Sequence, residues 1–388
     1  MQVTIVANDV GNIGGMELVL AELVRGLAAA GDEVTVVART ADVPGARFEF
    51  HRVRGPSRPF VIAYPWFLLA ASVVLRRHRR GVVQATGAIV LNRVDFVAVH
   101  FCHRAFGRQP GAATASRDTL PFKAHARLAR ALARFGERLC MRPARIGGVI
   151  AVSPGVAAEV REMYPRLADR VTVITNGVDR KRFSPPSTDQ RLNARSRLGV
   201  PAAVPLALFV GGDWGRKGLA FAINALADAS EWHLAVAGRG DEAAYRRLAV
   251  TGGVAERVYL LGVMSDAPML YHAADAFVLP TSYETFSLVT YEAAASGLPL
   301  LATAVSGIED LLVDGVTGFC ITLDSAEIAL RLRQLAATPE LAGQMGAEAR
   351  RATADYTWDA TVAHHRALYQ AVRRQPGGAQ RDSGADRP

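Results

Sequence analysis

Residues Pro280–Glu292 read P-T-S-Y-E-T-F-S-L-V-T-Y-E, set between an apolar run, Ala276–Leu279, and small residues that continue to Ser296. A four-residue apolar run ended by a turn predicts a short buried strand, and the segment after Ser287 predicts a helix. With Ser287 at the helix start, Glu284 lies in the loop before it and Glu292 about one and a half turns inside. Both carboxylates then face the N-terminal end of one helix, where free N–H groups and the macrodipole attract an anion. Carboxylates also accept hydrogen bonds from hydroxyls, so anion and polyol recognition meet at one strand-to-helix turn. That pairing suits a sugar nucleotide. Taken alone, Glu284 and Glu292 also fit the acid/base pair of a hydrolase.

The same strand–loop–helix unit recurs on both sides of this turn. Leu206–Val210, Gly211–Gly218 and Leu219–Leu226 form one copy, followed by the strand His233–Ala237. Later strands are predicted at Val258–Leu261, Ala276–Leu279 and Leu300–Ala302, and helices at Ala326–Ala336 and Ala360–Val372. Near the start, Val3–Ala7, the turn Gly11–Gly15, the apolar-periodic Met16–Ala30 and Val34–Ala38 make a βαβ unit with its loop at a helix N-terminus. The glycines there are Gly11, Gly14 and Gly15, which is not the G-x-G-x-x-G of a dinucleotide site. Further strands are expected at Val82–Ala85, Phe96–His100, Val149–Val152 and Val171–Ile174, and helices at Pro65–His78 and Lys123–Cys140. Ser153-Pro154 reads as an N-cap followed by proline at the first helical position. This alternation predicts an α/β protein of two doubly wound, Rossmann-like parallel sheets facing each other across a cleft. We place an N-terminal domain at 1–176 and a C-terminal domain at 177–359, with an exposed Ser184–Ser187 connection and a disordered tail at 375–388.

A chain of 388 residues, 50% of them hydrophobic, is long enough for two cores of roughly 170–190 residues each. Cys102, Cys140 and Cys320 are too few and too dispersed for a disulfide framework or a metal cluster, which fits a reducing, cytoplasmic compartment. No signal peptide is read, because Met1 leads straight into a strand. The run Phe60–Leu75 falls short of the roughly 20 residues that span a bilayer. It is expected to be a buried helix with a solvated basic end, Arg76–Arg80, a surface helix being the alternative. Net charge is +9, much of it in Arg76–Arg80 and in Lys123, Arg127, Arg130, Arg134, Arg138, Arg142 and Arg145. With Leu128, Leu132, Phe135 and Leu139 as its apolar stripe, the second set describes a basic amphipathic helix able to approach anionic lipid. An exposed helix face is the simpler reading, and no recognition motif supports nucleic acid as a partner.

Arg216-Lys217-Gly218 closes a loop between a predicted strand and helix, where adjacent cations fit a diphosphate and Gly218 lets the backbone approach it. His100 ends a strand within V-H-F-C-H-R and His103 follows; such a pair reads either as structural or as lining a substrate crevice. No D-x-D, Walker A, H-E-x-x-H or G-x-S-x-G sequence occurs, so the expected set includes no metal site, P-loop, zincin or hydrolase elbow.

In order, G-G-M-E at Gly14–Glu17, A-V-H at Ala98–His100, I-A-V-S at Ile150–Ser153, T-N-G-V-D at Thr175–Asp179, R-K-G at Arg216–Gly218, E-x7-E at Glu284–Glu292 and A-S-G-L-P at Ala295–Pro299 resemble the family 4 glycosyltransferases of the GT-B fold. Those enzymes are retaining and use nucleotide sugars, and the resemblance runs along nearly the whole chain. It implies that a backbone N–H at Gly14–Gly15 approaches the donor phosphate, that Arg216 and Lys217 neutralise the leaving diphosphate, and that His100 sits near the reacting sugar. Glu284, with the amides of Phe286, Ser287 and Leu288, would hold sugar and phosphate, and Glu292 the ribose. It further implies a UDP- or GDP-linked donor as co-substrate with no other cofactor, a glycan, lipid-linked or small-molecule acceptor, and a last helix, 360–373, returning to the first domain. The departure is Gly212, where many members carry arginine after the strand-end glycine. A non-catalytic sugar-nucleotide-binding protein and a sugar-nucleotide epimerase of the same fold are the alternatives.

Overall fold

The computed structural model describes residues 1–106 and 120–373, so the tail expected at 375–388 and the side chain of Lys123 lie outside the described residues. The chain divides into two compact units, Met1–Asn176 together with the chain from Trp358, and Gly177–Thr357.

In the first unit the strands are β1 (Gln2–Val6), β2 (Asp9–Val10), β3 (Glu33–Ala38), β4 (Thr40–Ala41), β5 (Glu49–Arg52), β6 (Val82–Thr86), β7 (Val94–Val99), β8 (Ile146–Ala151) and β9 (Val171–Val173). All but β2 and β4 join one parallel sheet in the order β5-β3-β1-β6-β7-β8-β9. Helices cover both faces of such a sheet, which is why the central β6 and β7 are buried at every position and are mostly apolar, with Gln84, Thr86 and Asp95 the polar exceptions. The helices are α1 (Gly15–Ala29), α2 (Phe60–His78), α3 (His103–Phe106), α4 (Leu120–Cys140) and α5 (Pro154–Met163). Ser153 caps α5 as read, its hydroxyl accepting from the Val156 N–H at 3.2 Å.

Two helix expectations are corrected here. Helix α2 is not buried all round: Ala63, Phe67, Ala71 and Leu75 face the core, while Ile62, Trp66, Leu69 and Val73 face outward. In α4 the inward line is Ala133, Gly136, Glu137 and Cys140, and Leu128 and Phe135 of the expected apolar stripe point away. The reason is steric and polar together. A Cβ on Gly136 would lie 1.8 Å from the Tyr64 hydroxyl of α2, and Glu137 is needed inside to hold the start of α3.

The second unit contains β10 (Leu206–Val210), β11 (His233–Ala237), β12 (Val258–Gly262), β13 (Ala276–Leu279), β14 (Leu300–Ala302) and β15 (Gly318–Cys320), parallel in the order β12-β11-β10-β13-β14-β15. Its helices are α6 (Thr188–Leu198), α7 (Leu219–Ala225), α8 (Glu242–Thr251), α9 (Ala267–Ala273), α10 (Leu288–Ala295), α11 (Ser325–Ala337) and α12 (Pro339–Ala352). The Ser184–Ser187 stretch, read as an inter-domain connection, lies inside this unit, and Ser187 begins α6 through a capping box with Gln190.

Helix α13 (Trp358–Arg373) then returns the chain to the first unit, where it packs on α1. Val362 meets Gly26 of α1 so closely that a Cβ there would lie 2.3 Å from its methyl carbon. Arg366 pairs with the buried Asp32 at 2.9 Å, and the Tyr369 hydroxyl donates to Gln84 of β6 at 2.6 Å.

Candidate functional site

In the second unit, two loops carry the residues singled out in the sequence. The loop from β10 to α7 is shaped by Asp213, a non-glycine residue at φ 51°, and by the buried Trp214, whose indole N–H donates to Gly211 O at 2.9 Å. It turns back so that Lys217 N–H reaches Asp213 O at 3.0 Å, and the Lys217 stem runs across Gly211. A Cβ on Gly211 would sit 2.6 Å from Lys217 Cδ, which explains why the bulk lies at 217 and none at 211.

The loop from β13 to α10 is stitched to this one. Ser282 N–H donates to Arg216 O at 2.9 Å, and at Gly218, φ +74°, a Cβ would lie 1.9 Å from Pro280 O. The result is a convergence of charges. Glu284 Oε1 receives Lys217 Nζ at 2.9 Å, Arg216 Nη1 at 3.2 Å and the Thr281 hydroxyl at 3.2 Å. Arg216 also donates to Tyr283 O, and its Nε to Asp213 at 3.0 Å. Burial pushes the Glu284 carboxyl up, but the Lys217 and Arg216 charges outweigh it and hold the group below its ordinary value. Glu284 is therefore a carboxylate shared by two cations.

Ser287 caps α10 without a side-chain hydrogen bond to the helix backbone; its hydroxyl instead accepts from Thr290 at 2.8 Å. The Leu288 N–H turns onto Phe286 O at 3.0 Å, so of the three amides expected to face an anion this one is engaged within the loop. Gly307, at φ +74°, presses on the loop from outside, where a Cβ would lie 2.6 Å from Phe286 Cα. Glu292 stands apart from Glu284. Its Oε2 accepts from the Tyr271 hydroxyl of α9 at 2.6 Å, and burial raises its pKa to about 7 against the opposing pull of that bond and of Arg182.

In the first unit, Gly14 caps α1 and Gly15 begins it, in extended and helical backbone respectively, with no side-chain cap. Met16 behind them lines a cavity of about 280 Å³ that His100 and His103 also line, together with Tyr64, Phe101 and Tyr164. The sequence left one or the other histidine open, and both reach this cavity. Burial, reinforced by neighbouring His365, pushes the His100 imidazole down to about 4, so it is neutral at physiological pH. His103 is likewise lowered by burial. The lining is mostly apolar, and the Thr86 hydroxyl in its wall is buried with no hydrogen-bond partner among the described residues. Glu137 organises the wall by accepting from His103 N–H at 2.8 Å, Arg104 N–H at 3.2 Å and the Tyr164 hydroxyl at 3.0 Å.

Asp213, Trp214, Tyr271, Glu137 and Gly307 were not singled out from sequence. Only Asp213 carried a local signal, since aspartate tolerates the left-handed region that a tight glycine-flanked loop requires. Among the described residues no group of three His, Cys, Asp or Glu side chains is placed to hold a metal ion.

Comparison with known proteins accords with this layout. Residues 13–182 match the profile described as Glycosyltransferase Family 4, and residues 204–338 that described as Glycosyl transferases group 1. A D-inositol 3-phosphate glycosyltransferase of Xylanimonas cellulosilytica is 30% identical over 405 aligned residues, covering 94% of each chain. Among solved structures, WaaG, a glycosyltransferase involved in lipopolysaccharide biosynthesis, superposes with a TM-score of 0.76 at 23% identity, over 94% of this chain and 98% of its own. HepE of Anabaena, solved with UDP and glucose, gives 0.75 at 20% identity over 96% and 100%. Two Rossmann-like parallel-sheet units of this kind constitute the GT-B fold.

Proposed function

Because the chain belongs to the family 4 glycosyltransferases, we propose that it moves a hexose-type sugar from a UDP- or GDP-linked donor to a hydroxyl of a glycan, glycolipid or small-molecule acceptor, retaining the anomeric configuration and needing no metal. The observation that carries this reading is the convergence of Arg216 and Lys217 on Glu284. Glu284 is shared by both cations, and the exposed Asp213 pairs with Arg216 alone, so both cations are held in place by carboxylates at the start of α7. A diphosphate draws Arg216 and Lys217 onto itself, and the donor's sugar hydroxyls take their place as partners of Glu284.

Charge then develops where the two cations already stand. As the anomeric C–O bond breaks, its electron pair goes to the diphosphate oxygen, and preorganised donors stabilise it without reorganising. The acceptor oxygen attacks from the face the diphosphate leaves, and its proton passes to the departing phosphate. Arg216 and Lys217 supply the charge a divalent metal would bring, so turnover is expected to survive chelation. Glu292, the fifth residue of α10, is assigned to the ribose diol, with Tyr271 orienting it.

On the acceptor side we assign the cavity of the first unit, with neutral His100 and His103 as hydrogen-bonding groups and the amide of Gly15 at the start of α1 facing an anion. Its largely apolar lining favours an acceptor with an apolar part. The unpaired Cys102, Cys140 and Cys320 suit a reducing cytoplasm. The test is a thermal-shift screen against UDP, GDP and ADP sugars, beginning with UDP-glucose because a fold neighbour was solved with UDP and glucose. Mass spectrometry of products with lipid and sugar acceptors follows. A mass gain of one hexose on an acceptor supports the reading. Binding of a donor with no transfer and no hydrolysis across the panel contradicts it, and product left on the nucleotide would mean an epimerase.

A further inference from the structure

Helix α2 is apolar on two faces, and the fold uses only one of them. Its inner line, Ala63, Phe67, Ala71 and Leu75, is buried, and the helix is tied down by Tyr64 donating to Ala88 O at 2.7 Å and by Ser72 accepting from Leu91 N–H at 2.8 Å. On the outside, Ile62, Trp66, Leu69 and Val73 are 56%, 53%, 60% and 53% exposed, at spacings of four, three and four residues that form a continuous stripe. A contiguous run of large exposed aliphatic and aromatic side chains is rare on a soluble monomer and marks a docking surface. By length and composition the helix is apolar enough to cross a membrane, but its buried line and its hydrogen bonds keep it against the sheet.

The charge around the stripe selects the surface. Arg76 and Arg77 are exposed at its C-terminal end, followed by Arg79 and Arg80, which are exposed but paired with Asp95 and Glu49. The neighbouring α4, in contact with α2 where Gly136 meets Tyr64, turns Leu128 and Phe135 outward at 52% and 64% exposure, flanked by exposed Arg127, Arg134 and Arg138. Apolar side chains with arginines beside them are the composition of an interfacial helix on anionic lipid. A protein partner or second copy of this chain would have to supply matching acidic groups, and Glu137, the acidic residue of the described part of α4, is buried inward. We propose that the outer face of α2, with the outward residues of α4, beds in the headgroup region of an anionic membrane.

The inference is independent of the donor and acceptor assignments, and its test reads binding alone. Full-length protein is floated with vesicles of phosphatidylglycerol and phosphatidylcholine, and with phosphatidylcholine only. Wild type is expected to float with the anionic vesicles, less at high salt, and with blue-shifted Trp66 fluorescence that the Trp66→Phe variant lacks. Leu69→Glu, at a position more than half exposed and so tolerable to the fold, is expected to lower vesicle affinity about tenfold or more. Arg76→Glu with Arg77→Glu should remove the preference for anionic lipid. Circular dichroism confirms that each variant is folded. Wild type remaining unbound to anionic vesicles, or Leu69→Glu floating as well as wild type, overturns the proposal. So does a wild-type dimer that Leu69→Glu converts to monomer without any vesicle binding, which would make the stripe a contact between copies.

Discussion

At the scale of single residues the two glutamates that drew attention in the sequence have opposite electrostatic situations. Glu284 is held ionised by Lys217 and Arg216 despite its burial, whereas Glu292 has no ion pair among the described residues, and burial outweighs the Tyr271 hydrogen bond and the pull of Arg182 to raise it to about 7. Glu284→Gln leaves the two cations without their shared partner. Its affinity for a free nucleoside diphosphate is expected to hold or rise, while kcat/KM with the intact donor falls about a hundredfold through the lost sugar contact; loss of both in step would point to a merely structural carboxylate. For Glu292 the sign is set by a folded pKa of about 7 against an ordinary 4.5. The stability this proton brings is complete below about 4.5 and is lost as pH rises through about 7. Glu292→Gln removes that dependence, so relative to wild type the variant gains on the order of 3 kcal/mol between those limits. It should nevertheless bind donor more weakly, having lost a ribose acceptor. Denaturant unfolding at several pH values, paired with donor titration, separates the two effects.

At the scale of elements, the two loops of the second unit work as one object because backbone contacts lock them. Gly218→Ala places a Cβ where Pro280 O stands and strains a left-handed φ. It is expected to cost more than about 2 kcal/mol in urea unfolding and to abolish nucleotide release together with it. Much of this was legible in advance. The central strands are buried on both faces and so announced themselves as mostly apolar stretches despite Gln84 and Asp95, and Ser153-Pro154 announced a helix start. Edge strands β5 and β15 left no such trace: β5 is mostly exposed and mixed in polarity, and β15 spans three residues. Helix α6 was hidden behind two prolines, although Ser187 and Gln190 stood at capping-box spacing. The outward turn of Leu128 and Phe135 was unreadable because apolar periodicity gives a helix face without saying what covers it. In the site, charges and glycines were visible as motifs, but Tyr271 and Glu137 come from helices remote in sequence and only packing brings them in.

At the scale of the molecule, α13 makes the first unit depend on the end of the chain, since Asp32, Gln84 and Gly26 all have partners on it. Truncation after Thr357 leaves Leu27, Val24 and Phe96 of the first core uncovered on that side. The expected result is loss of the cooperative unfolding transition of the first unit and rapid proteolysis of residues 1–176, with Tyr369→Phe a milder version costing about 1–2 kcal/mol through the buried Gln84. The central claim concerns the second unit: that Arg216 and Lys217 ease out a diphosphate. Lys217→Met keeps the aliphatic stem over Gly211 and deletes only the charge. The direct measurement is the rate of nucleoside diphosphate release from the donor that the screen identifies, wild type against Lys217→Met at saturating donor. The account predicts a fall of about 10²–10³-fold with the variant still folded and still binding donor; release at the wild-type rate would contradict it.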